Sequence, residues 1–185
     1  VTPEANEAAK FIESWHDFYM MAGTASVTLV GLLFVALSFH LDILLHDRYG
    51  HILAYARNTM FSFVAVLLYS FFFLVPRWYG RPLGFQVLLL SVVFGGLAVF
   101  NSWRANRRDH TTGRAGSQGR RARISLISYA GLAAAGLLVI LTSHQEWFYL
   151  MIGFICMLLG NAAGSAWDLL VEVGKLKIRE ADEQR

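Results

Sequence analysis

Five stretches of the chain, 18–39, 58–76, 82–103, 124–143 and 147–167, contain no Asp, Glu, Lys, Arg or His. Each is about 19 to 22 residues long, which as an α-helix covers roughly 30 Å, the thickness of the hydrocarbon core of a bilayer. This periodic loss of charge limits the chain more than any single motif does. Of its 185 residues 56% are hydrophobic and only 16% are charged, against about a quarter charged in an ordinary soluble domain. A water-soluble fold of this size has nowhere to put so much apolar surface. The predicted fold class is therefore all-α: a polytopic membrane protein, a bundle of five transmembrane helices. The spans are expected at about 18–40, 57–76, 82–103, 124–143 and 147–170, joined through an Arg-rich loop at 104–123 and followed by a polar tail at 172–185.

Residues 1–17 place Phe11, Trp15 and Phe18 at i, i+4 and i+7, an aromatic stripe suited to a short interfacial helix or to an extension of the first span. The same segment carries Glu4, Glu7, Glu13 and Asp17 against Lys10 alone. A secretory signal needs a basic n-region and a shorter apolar core, so the first span is expected to be retained. Cys156 is the only cysteine, which leaves no intrachain disulfide to form.

If each span crosses once, the basic residues separate. One side receives Lys10, Arg77 and Arg81. The other receives Arg48, Arg57, the arginines between 104 and 123, Lys175, Lys177, Arg179 and Arg185. The excess of Lys and Arg marks that side as cytoplasmic, with the N-terminus outside and the C-terminus inside.

Small and polar residues fall on single helical faces. Thr24, Thr28, Gly31, Val35 and Ser38 do so in span one, Asn58, Ser62, Ala65 and Tyr69 in span two, and Gly84, Ser91, Gly95, Ala98 and Ser102 in span three. Span four pairs Ala130 with Ala134 and Gly131 with Ala135, and span five carries Gly160 and Gly164 as a G-x-x-x-G pair. Such faces let helices approach closely in lipid. The Gly160/Gly164 hairpin with span four is the expected close contact, and the Thr24–Thr28–Gly31–Ser38 face is a packing surface or the lining of a path between helices.

Chemistry is sparse. Pumps, proton-coupled carriers and voltage sensors work through ionisable groups at membrane depth, and the spans hold none. No G-x-S-x-G, HExxH or phosphate-binding glycine loop is present, so the chain is not read as an enzyme and no cofactor is expected. His40, Asp47 and His51 are the nearest thing to a metal set, yet zinc needs three or four convergent ligands, and water-facing polar residues in a connection account for them. His16 and His144 lie in wet positions beside Asp17 and Glu146, unlike the deep apolar setting of a haem pair. Arg104, Arg107, Arg108, Arg120 and Arg121 are candidate contacts for anionic lipid, each contributing about 1 kcal/mol near such a surface. Without aromatic residues to stack bases, the Arg-rich loop is not read as binding nucleic acid.

WHDFY at 15–19 followed by GLLFVALSF at 31–39 resembles the opening of small, uncharacterised bacterial multi-pass membrane proteins. The resemblance covers the first span and implies a bacterial inner membrane; it carries no functional residue. Two functions fit the whole sequence. One is a non-enzymatic structural, interaction or accessory subunit, a homo-oligomer with a possible membrane-protein partner. The other is a homo-oligomeric passive channel for ions or small solutes, lined by span one.

Overall fold

The computed structural model describes residues 10, 14–39, 50–75, 81–108, 115–142 and 146–183. Among them are five helices: α1 (His16–Ser38), α2 (Gly50–Leu74), α3 (Arg81–Arg108), α4 (Ala115–Thr142) and α5 (Glu146–Glu183). All five are long and apolar enough to cross a membrane. The predicted interfacial helix lies for the most part outside the described residues, as do His40 and Asp47. Asp17 and Glu146 occupy the first turns of α1 and α5, where a negative charge opposes the positive end of the helix dipole.

Two boundaries differ from those expected. The stretch 104–123 is not one long loop, because α3 continues through Arg108 and α4 begins at Ala115. Extending a helix that a span has already nucleated adds one hydrogen bond per residue fixed, and Arg, Ala and Gln are good helix formers. A segment too polar to fold alone can therefore continue a helix that lipid or protein holds elsewhere. For the same reason α5 runs through most of the predicted tail, 38 residues in all, or about 57 Å.

Helices α2, α3, α4 and α5 close a ring in which each packs on the next and α5 returns to α2, while α1 leans on α2 from outside and touches α5. The ring interior is filled. Phe63, Val66, Tyr69, Val87, Leu132, Met151, Ile155 and Leu158 are fully buried, so the described residues leave no path through the centre of the ring. A smaller cluster joins Leu33 of α1 to Ile52, Ala56 and Phe63 of α2 and to Ala162, Leu169 and Val173 of α5.

Helices α3 and α4 approach closely where two glycines face each other. A Cβ on Gly84 would lie 2.9 Å from the Gly136 carbonyl oxygen, and a Cβ on Gly136 would lie 2.9 Å from the Gly84 carbonyl oxygen. No other residue fits at either position without moving backbone, which is the geometry that small residues supply in helix packing. The predicted contact at Gly160 is absent among the described residues: a Cβ there would meet nothing within 4 Å.

Polar side chains fasten the ring. Ser91 Oγ donates to the Val87 carbonyl at 2.7 Å and stands 2.8 Å from Tyr69 Oη. With its one proton committed to its own helix, Ser91 accepts from the tyrosine. Ser26 Oγ donates to the Phe63 carbonyl at 2.7 Å, tying α1 to α2. Tyr19 differs. Its ring stacks on Phe73 at 4.2 Å and 6°, yet its hydroxyl is buried with no partner. Tyr69→Phe is therefore expected to lower stability by about 0.6 kcal/mol, typical of an interhelical hydrogen bond in lipid. Tyr19→Phe is expected to be neutral or to raise stability by up to about 1 kcal/mol, because it removes an unpaired buried group. Thermal unfolding of the two variants in the same detergent checks the contrast.

Candidate functional site

Two features of the described residues go beyond core packing. The first is a polar clasp at the end of the bundle where α2 and α4 begin and α5 leaves its apolar stretch. On α5, Asn161, Ser165 and Asp168 fall at i, i+4 and i+7 and so share a face. Asn161 is 9% exposed. Its Nδ2 donates to the Arg121 carbonyl at 3.0 Å and to Ser125 Oγ at 2.8 Å, both on α4. Its Oδ1 is buried and unpaired. One turn on, Ser165 Oγ donates to the Asn161 carbonyl at 2.8 Å.

Arg121 completes the clasp. Its Nε donates to Asp168 Oδ2 at 2.6 Å, with side-chain exposures of 21% and 41%. The guanidinium lies across Gly164, its Cζ 3.2 Å from where a Cβ would be and its Nη1 closer still. Any larger residue at Gly164 displaces the arginine. Because both partners are partly exposed, the pair contributes about 1 kcal/mol, and its main effect is to hold Arg121 in one orientation.

The second feature is the outer face of α1. Tyr19, Ala22, Gly23, Ser26 and Leu33 are buried against the rest of the bundle. Thr24, Thr28, Gly31, Val35 and Ser38 lie on the opposite side of the helix and are all exposed. A Cβ on Gly31 would meet nothing within 4 Å. Met20, Met21, Thr24, Ala25, Thr28 and Leu29 line a shallow, open groove along this face. The hydroxyls turn inward onto their own helix: Thr28 Oγ1 donates to the Thr24 carbonyl at 2.9 Å and Ser38 Oγ to the Phe34 carbonyl at 2.8 Å.

The predicted residues thus separate. Thr24, Thr28, Gly31 and Ser38 stay together as one outward stripe. Gly160 faces outward, and Gly164 serves as the seat of an arginine rather than as a contact between backbones. Arg120 is exposed at the start of α4, next to Arg121. The side chains of His51, Arg104, Arg107 and Arg108 lie outside the described residues. The pairing of Arg121 with Asp168 was not foreseen, because both flank charge-free stretches. The signal was present nonetheless: opposite charges stand at matching ends of two consecutive spans.

No family model, curated protein or solved structure matches the chain.

Proposed function

We propose that this chain is a non-enzymatic protein of a bacterial inner membrane, a homo-oligomeric structural or accessory subunit assembled through the outer face of α1, with its N-terminus outside and its C-terminus in the cytoplasm. The observation that carries this is the placement of the Thr24–Thr28–Gly31–Val35–Ser38 stripe opposite the face of α1 that packs on α2. Its steps of four and three residues are those of a helix-packing seam. In lipid, a groove with small residues at its centre is better filled by another helix than by mobile acyl chains, because association there rests on van der Waals packing. Bulkier side chains, Val27 and Phe34 on one flank and Met21 and Leu32 on the other, border the stripe and are exposed. By contrast α3 turns Phe85, Leu89, Val92, Val93 and Phe100 outward, a surface suited to lipid.

The channel alternative places the same stripe around a water-filled path between protomers. The inward-turned hydroxyls of Thr28 and Ser38 favour packing over that role. The orientation rests on the basic residues, since Arg57, Arg120, Arg121, Arg123 and Lys175 cluster at one end of the bundle and Arg81 stands at the other.

Single cysteines introduced along α1 in a Cys156→Ala background test the assembly. Thr24→Cys, Gly31→Cys and Ser38→Cys are expected to form disulfide-linked dimers in native membranes, and Leu33→Cys to form none. Cross-linking equal at all four positions, or absent from all, would remove the α1 interface. Solute flux through reconstituted wild type that Thr28→Leu abolishes would replace the structural role with the channel.

A further inference from the structure

The free edge of Arg121 has a use that the bundle itself does not supply. A guanidinium carries five N–H donors in a fixed fork. Asp168 takes the Nε proton, and among the described residues no acceptor meets Nη1 or Nη2. The group is nevertheless oriented, by Asp168 on one edge and by the notch at Gly164 beneath it. An oriented fork with open terminal donors matches the paired oxygens of a phosphate, which arginine recognises bidentately.

Its surroundings decide between ligands. Trp167, one residue before Asp168 on α5, is 68% exposed, and an indole at the end of an apolar stretch belongs at the headgroup level. Beyond it α5 becomes polar, with Asp168, Glu172 and Lys175. Arg121 is thus at the depth of lipid phosphates. Arg120, Arg123 and Lys175 are exposed nearby, and the open surface at Gly160 continues the site toward the acyl region. A second copy in parallel orientation would bring the same cations to the same depth, whereas an anionic headgroup complements them. We infer that the Nη1/Nη2 edge of Arg121, held by Asp168 over Gly164, binds the phosphate of an anionic phospholipid. The site depends on the chain lying in a membrane and is independent of assembly through α1.

Asp168 gives the test its direction. Replacing it with Asn makes the protein more positive, so diffuse attraction to anionic lipid would strengthen. A site that depends on the orientation of Arg121 weakens instead. Phosphatidylglycerol retained by detergent-purified protein, with phosphatidylcholine as the neutral comparison, is read by native mass spectrometry. Arg121→Gln is expected to lower phosphatidylglycerol retention about fivefold, the equivalent of one arginine near an anionic surface. Asp168→Asn and Arg121→Lys are expected to lower it at least twofold, and Arg123→Gln to leave it within twofold. Unchanged phosphatidylcholine retention and an intact unfolding transition show that each variant is folded; if Arg121→Gln fails to fold, Asp168→Asn and Arg121→Lys decide. Stronger retention in Asp168→Asn, or equal losses in Arg121→Gln and Arg123→Gln, would reduce the site to diffuse attraction. Displacement of the lipid by inorganic phosphate at equal concentration would reassign it to a soluble anion, and conversion of oligomer to monomer by Arg121→Gln with lipid retention unchanged would reassign it to a protein contact.

Discussion

Gly136→Leu is expected to prevent the bundle from closing. The Cβ alone would stand 2.9 Å from the Gly84 carbonyl oxygen and 3.1 Å from the Leu88 nitrogen, and backbone cannot swing aside as a side chain can. Overpacking commonly costs 1–3 kcal/mol. Here the obstacle is the neighbouring helix itself, so about 3 kcal/mol or more is expected, a large share of the 5–15 kcal/mol typical of a folded protein. Two other glycines, Gly131 of α4 and Gly160 of α5, give the comparison. The nearest atoms to a Cβ at Gly131 are the tip of the Phe154 ring, a side chain that can move aside by a change of χ1, so Gly131→Ala is expected to cost less than Gly136→Ala. Gly160→Leu enters open space and is expected to leave stability within about 0.5 kcal/mol of wild type, since leucine is also the better helix former. Recovery of monodisperse protein and its unfolding temperature rank the three positions. Equal tolerance at Gly136 and Gly160 would mean that α3 and α4 do not cross where described.

Gly31→Leu is expected to act on the assembly and not on the protomer. The position is exposed, with open space where the side chain would grow, and α1 is held to the bundle from its opposite side by Tyr19, Ser26 and Leu33. A leucine in the centre of the stripe blocks close approach of a second α1. Association is expected to weaken at least about tenfold, or about 1.4 kcal/mol, with the unfolding transition of the dissociated chain unchanged. Ser26→Ala supplies the converse, since it loosens α1 from α2 without altering the outer face. A lower unfolding temperature for Gly31→Leu with the assembly intact would place Gly31 inside a protomer contact.

The spans were legible because the absence of charge over about 20 residues has one economical explanation. Packing faces were legible in part. Ser62, Ala65 and Tyr69 of α2, and Gly84, Ser91 and Ala98 of α3, share faces by spacing and are buried. The stripe on α1 has equally clear spacing and lies outside, because periodicity tells which residues share a face and not what that face meets. Gly136 was hidden for a different reason. In the run AGLAAAG at 130–136 nearly every residue is small, so small-residue spacing cannot distinguish the buried side of α4, where Ala135 and Gly136 lie, from the exposed side, where Ala130 and Ala134 lie. The clasp escaped because Arg121 and Asp168 stand just beyond the charge-free stretches, where flanking charges ordinarily serve topology. Only the antiparallel pairing of α4 with α5 shows that they meet.

In the proposed assembly α1 presents its small stripe to a second copy of the chain. Native mass spectrometry of the wild-type protein released from lipid nanodiscs tests it most directly, with Gly31→Leu measured in parallel. The expected result is a mass that is a whole multiple of the 20.7 kDa chain for wild type and a shift toward the single chain for Gly31→Leu. A single-chain mass for wild type, or a multiple that Gly31→Leu leaves unchanged, would contradict the account.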